Sequence, residues 1–199
     1  MGRFFLPLAG IFLLLLPLDG ASLRDGSDML SPRAAEEFFR RGAELVAEAG
    51  ETVRVTVDGT PVCIAAAGDG FLLTFCGRTI SITSTMDPLQ PIDADLPLAP
   101  FDLFCPFFRW PDVCYEGPGT ALGRTAQRFT ATATNGWTVR VWLDAKFYYP
   151  LCWELRDANR LLFRRLRLRS IAQNSNGEWC MRRMQIIGDG RTVTIMAAP

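Results

Sequence analysis

The sequence predicts a mainly β protein of the α+β kind: an antiparallel meander with one apolar face, one helix ahead of it and one short apolar helical segment in its middle. Three observations predict this. Trp137, Val139, Val141 and Leu143 alternate with Thr138, Arg140, Trp142 and Asp144, and Leu151, Trp153 and Leu155 alternate with Cys152, Glu154 and Arg156; this is the period-2 pattern of half-buried strands. Turn signals punctuate such runs at Asp58-Gly59, Gly68 to Gly70 and Asp157 to Asn159, where Gly, Asp and Asn tolerate the left-handed geometry of tight turns. Helical periodicity over more than a few residues shows only from Ser31 to Ala49.

At the start of the chain, Arg3 precedes the apolar run Phe4 to Leu18, interrupted by small residues, Pro7 and Pro17. These are the n-region and h-region of a secretory signal. The run is shorter than the roughly 20 residues of a comfortable membrane span, and Gly20-Ala21-Ser22 offers small residues for cleavage. Residues 1–22 are therefore expected to be removed on export and residues 23–199 to form one domain. The first cysteine is Cys63, so no lipid-attachment cysteine stands at the cleavage region and the mature protein is expected to be soluble.

After a polar start, Ser31-Pro32 reads as a helix N-cap followed by the first helical position. Ala35, Phe38, Phe39, Leu45 and Val46 make one apolar stripe beside Glu36, Glu37, Arg40 and Arg41, and Gly50 stops the helix. Thr52 to Val57, Val62 to Ala66, Phe71 to Phe75 and Arg78 to Thr83 then read as a hairpin meander. From Met86 to Pro100 come Pro88, Pro91, Pro97 and Pro100. Each lacks a backbone donor and restricts its predecessor, so a long loop is predicted.

The segment that follows, Phe101 to Trp110, carries Phe101, Leu103, Phe104, Phe107, Phe108 and Trp110 around a short helical turn. A segment apolar on every side must be buried or must cover something apolar. Two readings stay open: these rings plug a core, or they line and gate a cavity. Beyond Trp137 the strands named above are followed by Leu162, Leu166 and Leu168 on one face, with Phe163, Arg165, Arg167 and Arg169 on the other as a solvated ladder. Asn174 to Gly177 then turns into a strand carrying Trp179, Met184 and Ile186, and Thr192 to Ala197 forms the last strand.

Composition excludes several functions. The chain of 199 residues has 21 Lys+Arg against 21 Asp+Glu and no histidine. Net neutrality offers no long-range attraction to nucleic acid, and the absent imidazole removes Ser-His and Cys-His catalysis and His-based metal sites. No P-loop, dinucleotide fingerprint or nucleophile elbow is present. Asp144 and Asp157 sit at strand ends, where Asp serves turns, so with Glu154 they make a poor carboxylate pair for hydrolysis. The six cysteines are permitted to pair in an exported chain, Cys63 with Cys76 across one hairpin being the pairing the sequence suggests, or to pack as small hydrophobes. No cofactor or metal is expected.

A family resemblance rests on a series of short motifs in order: Phe107 to Trp110, Tyr115 to Gly117, Gly123-Arg124, Trp142 to Asp144, Pro150-Leu151, Asp157 to Asn159 and Gly177 to Trp179. In this it resembles the LolA-like outer membrane lipoprotein-sorting proteins. It departs from their pattern at Asn159, where a glycine is usual, and in its six cysteines. The resemblance implies a curled antiparallel sheet forming an incomplete (half) β-barrel, with the N-terminal helix and the Phe101 to Trp110 segment covering its concave face. It also implies a non-catalytic, monomeric periplasmic carrier of lipoprotein or lipid acyl chains that exchanges cargo with membrane-bound donor and acceptor proteins and binds no nucleic acid. The expected cavity and lid residues are Phe101, Phe104, Phe107, Phe108, Trp110, Val139, Val141, Trp153, Leu155, Leu166 and Leu168. An envelope module that senses lipid or lipoprotein through the same cavity is the alternative; an enzyme on a lipid-like substrate lacks the residues for the chemistry.

Overall fold

The computed structural model describes residues 28–47, 52–68, 70–173 and 179–197. The expected export segment 1–22, the expected Gly50 stop and the expected Asn174 to Gly177 turn lie outside them, as do the side chains of Leu45, Val46, Trp179 and Cys180. Ser31 caps helix α1 (Pro32–Ala47): its Oγ accepts from the Ala34 amide at 3.3 Å and its carbonyl from Ala35 at 2.9 Å. The buried stripe of α1 is Ala35, Phe38, Phe39 and Gly42, while Arg40 bridges Glu37 and Glu44 on the solvent side.

Among the described residues eleven strands make one antiparallel sheet, curled but not closed into a barrel. The first group is β1 (Thr52–Val57), β2 (Thr60–Ala67), β3 (Gly70–Phe75) and β4 (Arg78–Ile82). The second is β5 (Asp112–Ala121), β6 (Arg124–Thr132), β7 (Thr138–Asp144), β8 (Pro150–Arg156), β9 (Leu162–Gln173), β10 (Trp179–Gly188) and β11 (Arg191–Ala197). Their order across the sheet is β4-β3-β2-β1-β11-β10-β9-β8-β7-β6-β5. The chain thus enters in the middle, meanders out to one edge, reappears at the opposite edge and meanders back until β11 pairs with β1, with Val57 opposite Ile195. Because β4 and β5 are opposite edges, the intervening residues must cross the sheet, and they do so over its inner face. The Pro-rich loop buries Leu96, Leu98 and Ala99 there, followed by helix α2 (Pro100–Phe104) and a 3-10 turn at Pro106–Arg109.

The register corrects two expectations. Cys63 stands opposite Thr74, whereas Cys76 belongs to the next turn, Cys76-Gly77, where both residues have positive φ (48° and 72°). A two-residue hairpin turn of this kind takes Cys76 out of the ladder, so the expected pair is not formed and both thiols are free. Leu162 does not share a face with Leu166 and Leu168. An irregularity in the β8–β9 pairing places Leu155 opposite Arg164 but Arg156 opposite Leu162, which sends Leu162 outward, 44% exposed, and leaves Arg164 in the inner row. Two strands have no reading from alternation, β5 and β6; in β5 the Gly117-Pro118-Gly119 run obscures the pattern, and its register shifts between Tyr115 and Gly117.

Candidate functional site: an apolar inner face under an aromatic lid

Cross-strand pairing builds the inner face row by row. Phe129, Val141, Trp153, Leu166, Ile186 and Val193 stand in line across six strands, β6 to β11. Val139 with Leu155, and Leu168 with Met184 and Ile195, make the rows on either side. All are buried. On the wing formed by β1 to β4 the floor continues through Val53, Val55, Val57, Ile64, Phe71 and Leu73.

All the floor residues expected from sequence, Val139, Val141, Trp153, Leu155, Leu166 and Leu168, lie on this one face. The lid lies directly on it. The Phe101 ring meets Trp153 edge-on at 5.4 Å between centroids, and Phe107 approaches the same indole at 6.3 Å. A backbone reversal at Cys105 (φ 40°), between α2 and the 3-10 turn, brings both rings over one tryptophan. Trp110 packs on Phe101, and Phe108 on Phe107 (4.6 Å) and on Phe39 of α1 (5.1 Å). Phe104 reaches the other way to Phe71 of β3 (4.9 Å). The aromatic segment therefore spans from α1 to the far wing, and its rings occupy the concave side. Gly42 lets α1 close against this end: a Cβ there would stand 3.0 Å from Leu143 Cδ1, 3.1 Å from the Tyr148 carbonyl and 3.4 Å from Phe108.

A buried ion pair pins the lid to the floor. Arg164 donates from Nε to Asp102 Oδ1 (2.7 Å) and from Nη2 to Oδ2 (2.5 Å) and to the Pro97 carbonyl (3.2 Å). Asp102 Oδ2 also accepts from the Ala99 amide at 2.8 Å. The side chains are 4% and 0% exposed. Burial disfavours the charged guanidinium, but the Asp102 carboxylate more than offsets this and holds Arg164 above its ordinary value. Gly188, opposite Arg164 on β10, leaves room for it: a Cβ there would lie 3.2 Å from Arg164 Cγ and 3.3 Å from Nη1.

Neither Asp102 nor Arg164 was among the expected site residues. The signal was present in the sequence, since one carboxylate interrupts an otherwise apolar PFDLF, and Arg164 shares parity with Leu166 and Leu168. At the centre of the site the Trp153 Nε1 donor is buried with no hydrogen-bond partner, as is the Tyr149 hydroxyl, which burial and the neighbouring Asp144 carboxylate hold well above the usual phenol range. At the β5–β6 end, Tyr115 donates to Gln127 Oε1 (2.5 Å) and accepts from the Leu30 amide (3.1 Å), clasping the stretch before α1 to the sheet.

The carboxylates near the strand ends serve structure. Asp144 Oδ1 accepts from the amides of Lys146 and Phe147 at 2.9 Å, and Arg124 pairs with its other oxygen. Asp157 Oδ1 accepts from Asn159 and Leu161. Among the described residues no group of His, Cys, Asp and Glu is arranged to hold a metal ion, and no helix is long and apolar enough to cross a membrane.

No family model matches this chain, and neither does any curated protein. Solved structures do match. An outer membrane lipoprotein-sorting protein domain from Vibrio parahaemolyticus superposes with a TM-score of 0.58 at 16% identity, over 83% of this chain and 88% of its own. A DUF1329 family protein from Desulfovibrio piger gives 0.59 at 11% identity, over 83% and 90%. At these identities the likeness is one of fold, and the fold is the one the sequence resemblance implied.

Proposed function

We propose that the protein is a non-catalytic carrier of the bacterial envelope that holds an acyl chain of a lipoprotein or lipid between the inner face of the sheet and the aromatic lid. The observation that carries this reading is the mismatch between floor and cover. An apolar surface that runs across the curled sheet is roofed by α1, one loop and the segment Phe101 to Trp110, half of whose residues are aromatic. The aromatic segment attaches through ring contacts and the Asp102–Arg164 ion pair, whereas a core sealed by a second sheet has no part that can lift. Phe101, Phe104, Phe107, Phe108 and Trp110 form the moving part; Val139, Val141, Trp153, Leu155, Leu166 and Leu168 are the surface they vacate.

The energetics suit a carrier. Each methylene buried contributes about 0.8 kcal/mol, and part of this is spent in displacing rings from Trp153, so a chain is held firmly yet released when a partner binds it better. The unpartnered Trp153 Nε1 supplies one donor for the carbonyl of an ester- or amide-linked chain, which would meet the cost of about 1–3 kcal/mol for a buried donor left unpaired. The shared fold with a protein named for outer membrane lipoprotein sorting supports the same reading, with a periplasmic location, residues 1–22 as the export signal, a monomer in transit, and membrane-bound donor and acceptor proteins as partners.

The test is paired. The wild-type protein is titrated with a fluorescent fatty acid and with a triacylated lipopeptide, and the Phe108→Ala variant is carried through the same titration and a thermal melt. Saturable one-to-one binding is expected. Phe108 sits at the lid margin, so the variant should lose less than the roughly 3–5 kcal/mol typical of removing Phe from a packed core, while its acyl affinity shifts. Absence of saturable binding by the wild type, together with a full core-type loss in the variant, overturns the reading.

A further inference from the structure

The outer face differs from the inner one in chemistry. Its rows are the counterpart of those inside: Arg128, Trp142, Cys152, Arg167 and Gln185 in one line, and Arg140, Glu154 and Arg165 in the next. Although the whole chain is electrically neutral, this face is not. Its carboxylates are consumed in place: Glu116 pairs with Arg140 at 3.0 Å, and the two oxygens of Glu154 take Arg165 at 2.5 Å and Arg156 at 3.0 Å. Among the described residues, Arg167 and Arg169 have no carboxylate partner; Arg169 donates from Nε to Gln185 at 2.7 Å.

These two arginines wall one side of a groove of about 320 Å³. Cys152 and Glu154 form its floor, and Trp142 with Leu122 its other side, Leu122 being 43% exposed at the tip of the β5–β6 turn. Trp142 and Arg167 are two strands apart, about 10 Å at a spacing of about 4.8 Å per strand. Arg167 and Arg169 are alternate residues of β9, about 7 Å apart. The groove therefore has a cationic end and an apolar end separated by the length of a small organic acid. Cys152 contributes as a neutral surface: burial, with the Glu154 carboxylate adding to it, pushes its thiol up to about 11, so it is no nucleophile near neutral pH.

We infer that this groove binds a small amphiphilic monocarboxylate, its carboxylate on Arg167 and Arg169 and its apolar body across Cys152 against Trp142 and Leu122. Guanidinium forks suit carboxylate oxygens in paired, charge-assisted bonds, and an aromatic wall suits the body. With Glu154 already held by Arg156 and Arg165, the two guanidiniums on one side of the groove face a single carboxylate group at one end of the ligand. The site lies on the face opposite the proposed acyl surface and does not depend on it.

The experiment titrates the protein with 4-phenylbutyrate and, in parallel, with the neutral 4-phenylbutanol, following heat and the indole N–H resonances. The acid is expected to bind about tenfold or more tightly than the alcohol, through the charge-assisted contacts, and to shift the indole resonance that is lost in Trp142→Leu. Arg167→Gln/Arg169→Gln should lower the affinity for the acid about tenfold or more while leaving the melting temperature and fluorescent fatty acid binding unchanged. Equal binding of acid and alcohol, no binding of either, or undiminished binding of the acid by the double variant overturns the inference.

Discussion

Arg164 and Arg165 are neighbours on β9, yet one is part of an interior and the other of a surface. Arg164 points inward against a fully buried carboxylate supplied by the lid; Arg165 points outward, 22% exposed, to a Glu154 that shares itself with Arg156. The same side chain thus performs two tasks set by the pleat of the strand. Inside, the pair costs desolvation on both partners and confers position, because only one placement of α2 satisfies it. Outside, charge remains in contact with water and confers solubility and a recognisable field.

The largest effect should come from breaking the inner pair. Asp102→Asn leaves the buried Arg164 charge without its counter-ion, for which about 3–5 kcal/mol of stability should be lost, measured by urea denaturation. A loss below about 1 kcal/mol, the range of exposed pairs, would show that Arg164 is hydrated and that the two faces do not differ as described.

Next comes the glycine that makes room for that pair. Gly188→Ala should cost about 1–3 kcal/mol through overpacking, and the cost should shrink in an Arg164→Met background, since the atoms the new Cβ meets are mainly those of Arg164. Additive effects in that double-mutant cycle would mean that the Phe163 carbonyl, not Arg164, sets the limit.

On the outer face, Glu154→Gln should cost about 1–2 kcal/mol, more than an exposed pair because Glu154 is itself buried and less than the inner pair because Arg156 and Arg165 both reach solvent. A smaller effect still, on rate and not on stability, concerns Cys152. With its thiol pushed up to about 11, the thiolate fraction grows about tenfold per pH unit through the weakly alkaline range. Its alkylation by iodoacetamide, followed by mass spectrometry, should rise accordingly from pH 7 to pH 9. A plateau below pH 9 would place the thiol in a wetter setting than the outer groove gives it.

How much of this was legible in the sequence follows the same division between faces. Alternation is a statement about one strand, so Val139, Val141, Trp153, Leu155, Leu166 and Leu168 could be assigned to a common face without coordinates. The turns at Asp58-Gly59 and Asp157 to Asn159 were equally local, and so was the Ser31 cap. What could not be read was anything set by how one segment pairs with another, near or far. Leu162 departs from the face its parity predicts because a pairing irregularity between β8 and β9 is invisible in one strand's pattern. Cys63 and Cys76 looked symmetric about a turn, but register placed Thr74 opposite Cys63. Asp102 and Arg164 are 62 residues apart, and each looked locally like an exception, one inside an aromatic run and the other in an arginine ladder. Only the crossing of residues 83–111 over the inner face, forced by the strand order, brings the exceptions together.

That strand order also has a consequence for how the chain is born. The first of the described strands, β1, sits in the middle of the finished sheet and finds its second neighbour only in β11, where Val57 pairs with Ile195. Until then the four-stranded front half presents β1 as an open edge, and the closing contact is among the most non-local the chain can make, the kind that slows folding most. A bare edge held open for that long invites pairing with other chains. The yield of folded protein should therefore depend on β11 more than on any other described strand. Trimming the chain before Arg191 would divide one sheet into two, each with an exposed edge, and the expected product is aggregate in place of a smaller domain.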